Sequence, residues 1–193
     1  MTIPRVFFVI GPAGSGKTSV ARLLAEQAGA AYIDKDTACN RFTEALLELA
    51  GTDRTERDLN PYYQSVVMDL EYLTILDLAR DNLATGRPVV LDAPFGRYFS
   101  RPDYLDEVAE RHSWPRHVET VVVQVKVDSD TARERIRARG YARDQSKLAD
   151  WDSFWDKAQN NVCRWSSSHR LVFDNRADGI TAASIARALD GLA

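Results

Sequence analysis

The segment Gly11-Pro-Ala-Gly-Ser-Gly-Lys17-Thr18 constrains this chain more than any other. It fits the pattern G-x-x-x-x-G-K-[ST], the Walker A phosphate loop. The run Arg5-Val-Phe-Phe-Val-Ile10 before it is β-branched and aromatic, and reads as a buried strand. Residues 19–28 after it read as a helix closed by Gly29. Strand, glycine loop and helix in that order make an anion site. Glycines leave room for successive backbone N–H groups to turn inward, and the helix N-terminus adds its partial positive charge. The expected cradle comprises Gly11, Ala13, Gly14, Ser15, Gly16, Lys17, Thr18 and Ser19. In such a loop the lysine reaches the outer phosphates and the threonine hydroxyl ligates Mg²⁺.

Strands and helices alternate to the end of the chain, which predicts an α/β protein with a parallel sheet covered on both faces. Further strands are expected at 30–33, 88–91, 118–127 and 171–173. Helices are expected at 37–50, from Asn60-Pro61 to about 85, at 101–112, from 128 or 129 to near Gly140, at 150–165 and at 180–192. On the first of these, Phe42, Ala45, Leu46 and Leu49 are spaced along one side. Residues 51–59 and 141–149 read as polar loops. With 193 residues and no repeat, low-complexity tract or linker, the chain reads as one domain, 1–193. A net charge of −3 gives no basic field for gripping duplex nucleic acid. Cys39 and Cys163 match no zinc spacing and suggest a reducing compartment. No apolar run is long enough for a membrane span or a signal peptide. The expectation is a soluble cytoplasmic monomer or homodimer.

Two acidic signals fall at strand ends, where the ligands of an open parallel sheet gather. Asp34-Lys35-Asp36 follows the second strand. A carboxylate there is placed to take a proton from a hydroxyl attacking a phosphate. Asp36 is also suited to cap the helix that follows, and Lys35 reads as a solvated side chain. Val89-Val-Leu-Asp92 ends the third strand on an acid. This is the Walker B pattern, which holds Mg²⁺ through a water, although strands also end in Asp as a turn starter. Arg97 and Arg101 follow a tight turn at 93–96, either as anion binders or as ordinary surface arginines. In the series Arg133, Arg135, Arg137, Arg139 and Arg143, the pairs 135/139 and 133/137 each share a helix face. One pair faces solvent and the other can point over the phosphates. Arg143 stands in a polar loop able to close there, where guanidinium groups stabilise transition-state charge. Trp151 and Trp155 read as packing residues. His112, His117 and His169 show no ligand spacing. Asp174-Asn175 either borders a bound base or makes a simple turn.

Together these residues resemble the small P-loop kinases: gluconate, shikimate and adenylate kinases, chloramphenicol phosphotransferase and the zeta-toxin kinases. The resemblance covers nearly the whole chain in element order. Asp34-Lys-Asp36 resembles the D-x-D of shikimate and gluconate kinases, whose acidic pair meets acceptor and metal. Val90-Leu-Asp92 resembles the "LDG" of adenylate kinase, with Ala93 in place of the glycine. Glu134-Arg-Ile-Arg-Ala-Arg139 resembles its "ERI..R", which implies Arg135 near the adenine and Arg139 near the phosphates. The implied fold is a three-layer α/β P-loop NTPase fold, with a five-stranded parallel sheet of order 2-3-1-4-5 and a short lid at 140–149 carrying Arg143. The implied activity is transfer of the γ-phosphate of ATP to a hydroxyl of a small-molecule acceptor, with ATP and Mg²⁺ as cofactors. Lys17, Asp36, Arg139 and Arg143 would carry the chemistry, Arg135 and Asn175 would border the nucleotide, and Thr18, Asp34 and Asp92 would hold the metal. Two departures concern the acceptor. No G-G motif follows the third strand, and Phe95-Gly-Arg-Tyr98 does not repeat the "GFPR" of nucleotide-monophosphate kinases. The acceptor pocket is expected from 41–63 and 95–101, with Asp34, Asp36, Arg41, Arg97 and Arg101 as candidates. Its Arg, Tyr and Phe suit a polar molecule with a ring or an anionic group. A kinase of a nucleotide, nucleotide sugar or nucleic-acid end is the alternative enzyme, and a regulatory NTP-binding switch the alternative class.

Overall fold

Strand β1 (Arg5–Ile10) is apolar and buried from Val6 onward, so it needs cover on both faces and a partner on both edges. It has them. A computed structural model of the chain, which describes residues 3–57, 59–141, 144–176 and 179–192, shows a five-stranded parallel sheet of order β2-β3-β1-β4-β5. The other strands are β2 (Ala31–Asp34), β3 (Val89–Asp92), β4 (Glu119–Lys126) and β5 (His169–Asp174). The expected fold and strand order are both found.

Alternation along β1 divides the core. Val6, Phe8 and Ile10 pack with residues of α3 (Met68–Ala84) and α4 (Tyr104–Arg111). Phe7 and Val9 pack with α1 (Lys17–Ala28) and α8 (Ala182–Asp190). Helices α5 (Ser129–Arg139), α6 (Gln145–Ala149) and α7 (Trp151–Asn160) gather round Ala132, Ile136 and Trp151. Trp151 and Trp155 stack at 5.7 Å within that cluster, as packing residues do. Both cysteines are free and buried. Among the described residues no helix is long and apolar enough to cross a membrane.

Several elements depart from expectation. Helix α2 (Lys35–Leu49) starts early, because Asp34 rather than Asp36 caps it, accepting from the Thr37 N–H at 2.6 Å. Its buried face is Lys35, Cys39, Thr43 and Leu47, whereas Phe42 is 71% and Leu49 85% exposed. The apolar spacing misled because two polar residues on the inner face find partners across the core. Asn60 does cap the next helical stretch, accepting from the N–H groups of Tyr62 and Tyr63 at 3.0 and 3.1 Å. The chain then winds as a wide π-turn over Tyr63–Val67 before α3. Part of 141–149 is helical, as α6. The helix expected at 150–165 ends at Asn160. The chain beyond it has no regular structure and carries Trp165 back into the core. There the indole donates to Tyr98 O at 2.8 Å and stacks on Tyr104 at 4.9 Å, with Phe8, Phe95 and Phe99 at its edges.

Trp165 is only 3% exposed. Trp165→Ala should cost about 3–5 kcal/mol of stability, the usual penalty for emptying a buried aromatic site. A urea titration of the variant against the parent protein measures it.

Candidate functional site

The carboxyl ends of β1, β2 and β3 converge. Asp34 pairs in register with Asp92, and Asp92 with Val9. The chain leaving β1 forms the glycine loop, held tightly by what lies behind it. A Cβ on Gly11 would stand 2.4 Å from Val125 O, one on Gly14 2.5 Å from Ala132 O, and one on Gly16 2.3 Å from Asn175 Nδ2. Gly14 and Gly16 also have φ of 79° and 80°, a region costly for any residue with a side chain. Loop carbonyls find side-chain donors. Asn175 donates to Ser15 O at 2.8 Å, and Lys17 Nζ to Pro12 O at 2.9 Å. Arg135 Nη1 donates to Asn175 O at 2.9 Å and reaches Gly14 O and Ser15 O at 3.4 and 3.5 Å. Arg135 and Asn175 therefore brace the loop from its rear, a use that sequence reasoning missed. Ala13 packs on the Ala132–Ile136–Trp151 cluster, Ser15 is fully buried with no partner for its hydroxyl among the described residues, and Ser19 is exposed on α1.

Charge converges on the same spot. Asp92 is buried and accepts from the Tyr32 hydroxyl at 3.0 Å, with Thr18 close enough to act on its charge. Burial raises its proton affinity above the ordinary carboxylate value, and Asp34 beside it adds to the rise; Thr18, Lys17 and Tyr32 oppose it. Lys17 is pushed down to about 8, chiefly by loss of water, and the Arg139 charge adds to this; Asp92 and Asp36 act the other way. The lysine thus lies within the fields of both expected acids.

The loop opens on a cleft of about 820 Å³. Gly14, Gly16, Lys17 and Thr18 line one end. Helix α2 presents Asp36, Thr37, Asn40 and Glu44, and the polar stretch after it presents Arg54, Thr55 and Arg57. Arg135, Arg139 and Tyr141 close the third side. Asp34 also lines the cleft, although its carboxylate is engaged as the α2 cap. Asp36 is half-buried, its carboxylate 3.6 Å from Lys35 Nζ and 3.4 Å from Arg57 Nη1. Lys35 is not solvated: it is buried and paired with Glu71 of α3. Spacing of four along α2 offered a signal for Asn40 and Glu44. Nothing local marked Arg57, which approaches from a loop.

Arg139 is bound by Asp144, Nε and Nη2 each standing 2.7 Å from the same carboxylate oxygen, and its guanidinium lies 5.3 Å over the Tyr141 ring. Arg143 lies outside the described residues. Arg133 covers the Trp151 ring and Arg137 is exposed. Three expected acceptor residues are not brought to the cleft. Arg41 is exposed, one position round the helix from Asn40. Arg97 and Arg101 line a separate cavity of about 420 Å³ between α3 and α4, where they pair with Asp69 and Glu107. The reason is the short turn Gly96–Tyr98, which lies over α3 and away from the loop.

A family model described as AAA domain, AAA_33, matches residues 6–160, so the chain belongs to that family. No curated protein matches the sequence. Solved structures share the fold over nearly the full length. A candidate kinase from Chloroflexus aurantiacus is 16% identical, with 98% of each chain covered and a TM-score of 0.68. A sugar kinase from Janibacter sp. HTCC2649 is 14% identical, covering 99% of this chain and 95% of that one at 0.59. A gluconokinase from Sinorhizobium meliloti 1021 is 21% identical, covering 100% and 93% at 0.50. The architecture is that of the P-loop kinases.

The lowered Lys17 value sets a pH dependence. Bound polyphosphate favours the charged lysine, which is fully present well below pH 8 and lost above it. Affinity for inorganic tripolyphosphate should therefore fall as pH rises through about 8, with uptake of roughly half a proton near that pH. Calorimetry in two buffers of different ionisation enthalpy checks both.

Proposed function

We propose that this member of the AAA_33 family is an ATP-dependent phosphotransferase that moves the γ-phosphate of ATP to a hydroxyl of a small-molecule acceptor. The observation that carries the reading is the meeting of Lys17 and Asp36 in one cleft at the glycine cradle, where the strand ends that bear Asp34 and Asp92 lie in register. The proteins of like fold that are named sugar kinase and gluconokinase support it.

The residues present fit a polyphosphate and a metal. The loop has no room for a side chain at Gly14 or Gly16, as a cradle of inward backbone N–H groups for phosphate requires. Thr18, Asp92 and Asp34 would hold Mg²⁺. No group of three or more His, Cys, Asp and Glu is placed to hold a metal among the described residues. Water and phosphate oxygens would therefore complete the shell, as Mg²⁺ prefers. Magnesium, when bound, neutralises charge on the phosphate oxygens. Lys17 holds the outer phosphates. Asp36 takes the proton of the acceptor hydroxyl as its oxygen bonds to the γ-phosphorus and the bond to the β-phosphate oxygen breaks, releasing ADP. Arg139 faces the cleft and stabilises the charge that spreads over the transferring group. Asn40, Glu44, Arg54, Thr55 and Arg57 give the acceptor end hydrogen-bonding groups and no large apolar wall, which suits a polar acceptor. The chain works as one domain, with 140–149 as its lid.

ATP turnover with and without a panel of hydroxylated metabolites tests the reading; stimulation by one of them identifies class and acceptor together. Lys17→Ala should lose at least about a hundredfold in rate while remaining folded. Asp34 is the helix cap, so Asp36→Asn should leave α2 intact and ATP affinity nearly unchanged, yet slow single-turnover transfer strongly. Full activity in either variant rejects the assigned role.

Lid closure has its own test. Hydrogen exchange over 140–149 should slow on adding a non-hydrolysable ATP analogue with Mg²⁺. Exchange indifferent to nucleotide rejects the lid.

A further inference from the structure

The buried charge cluster between α2 and α3 has no place in the phosphate-loop motifs. Glu71, on α3, is almost fully buried. Its Oε1 accepts from the Thr43 hydroxyl at 2.6 Å and lies 3.8 Å from Arg57 Nη1. Its Oε2 accepts from the Tyr63 hydroxyl at 2.8 Å and from Lys35 Nζ. Both of the cations it holds then continue to one atom. Lys35 Nζ is 3.6 Å and Arg57 Nη1 3.4 Å from Asp36 Oδ1, and Arg57 Nη2 also donates to Asn40 at 2.7 Å. One buried carboxylate therefore anchors two cations that flank a second carboxylate, and that second carboxylate faces the cleft.

Stability alone gives little reason for this arrangement. A buried ion pair carries a large desolvation cost, and apolar residues of the same volume often serve a core as well or better. Geometry gives a reason. Lysine and arginine side chains have many rotamers, and a half-exposed aspartate in the first turn of a helix is free to swing. Fixing both cations on Glu71 narrows the orientations open to Asp36. Reacting groups misplaced by about 1 Å can lose about a hundredfold in rate.

We propose that Glu71 is a positioning residue for phosphoryl transfer: through Lys35 and Arg57 it fixes the Asp36 carboxylate at the floor of the cleft. This rests on the reading of Asp36 as the base. It adds a residue from α3, outside the phosphate loop, to the reacting geometry.

The test compares four variants of the full chain in single-turnover consumption of ATP, with water as acceptor where no panel compound serves. Binding of a non-hydrolysable ATP analogue and thermal unfolding are measured alongside. Glu71→Gln should slow turnover at least about tenfold while analogue affinity stays within about twofold. Tyr63→Phe removes one hydrogen bond from the same carboxylate but no charge; it should lower Tm yet keep turnover within about threefold. Glu71→Gln/Lys35→Met removes both buried charges, should fold even where an unpaired Lys35 does not, and should be as slow as Glu71→Gln. Turnover within about twofold of the parent in a folded Glu71 variant overturns the proposal. So does a loss that tracks Tm across Tyr63→Phe and Glu71→Gln alike, or failure of both Glu71 variants to fold, since each marks a structural role. Asp36→Asn separates the two readings. If it keeps the parental rate, the base assignment fails; if it is slow and the Glu71 variants are fast, only the positioning role fails.

Discussion

A loop that turns its N–H groups inward must turn carbonyls outward, and buried carbonyls need donors. The phosphate loop meets this demand with three side chains from three parts of the chain. Lys17 returns to Pro12 O, Asn175 reaches Ser15 O from beyond β5, and Arg135 spans from α5 to the same stretch. The remaining architecture follows from that bracing. β4 must lie beside β1 so that Val125 and α5 can back the glycines, and β5 must lie beside β4 so that Asn175 arrives at Ser15. The glycines are fixed as much by this close backing as by the dihedral angles they adopt.

How much was legible in the sequence follows from where each signal lives. The glycine loop, the strand before it and the alternation of elements are local, and fold and strand order followed from them and from the family resemblance. The acids at the ends of β2 and β3 were legible as a pair because parallel strands in register end together, as Asp34 and Asp92 do. Long-range partners were not legible. Lys35 reads as solvated because nothing near it announces Glu71, which lies 36 positions on. The same hidden partner buries Thr43, and so inverts the apparent apolar face of α2. Arg135 resembled a base contact, but the backbone carbonyls behind the loop are within reach and take its N–H groups. Trp165 was misplaced in a helix because a return of irregular chain across α4 has no periodic signature.

The walls of the cleft are supported in different ways. The loop end is built on strand ends and on a braced backbone. The α2 wall stands on the Glu71 cluster, whose buried carboxylate accepts from Lys35, Thr43 and Tyr63. The third wall is different. It rests on α5 and α6 through a few side chains, and its hydrophobic support is the small cluster around Ile136 and Trp151 rather than the main core.

Arg139 lies on that third wall. It already has an anion, because Asp144 is buried and holds it through two nitrogens, with Lys147 on the other oxygen at 3.3 Å. A phosphate arriving in the cleft competes with a carboxylate that is in place and desolvated. The arginine can contribute only the difference between two pairings, so its share of ground-state affinity is small. A difference responds steeply to the charge of the newcomer, however. Under the proposed reading, the resident carboxylate is the pairing against which any phosphate contact at Arg139 is measured.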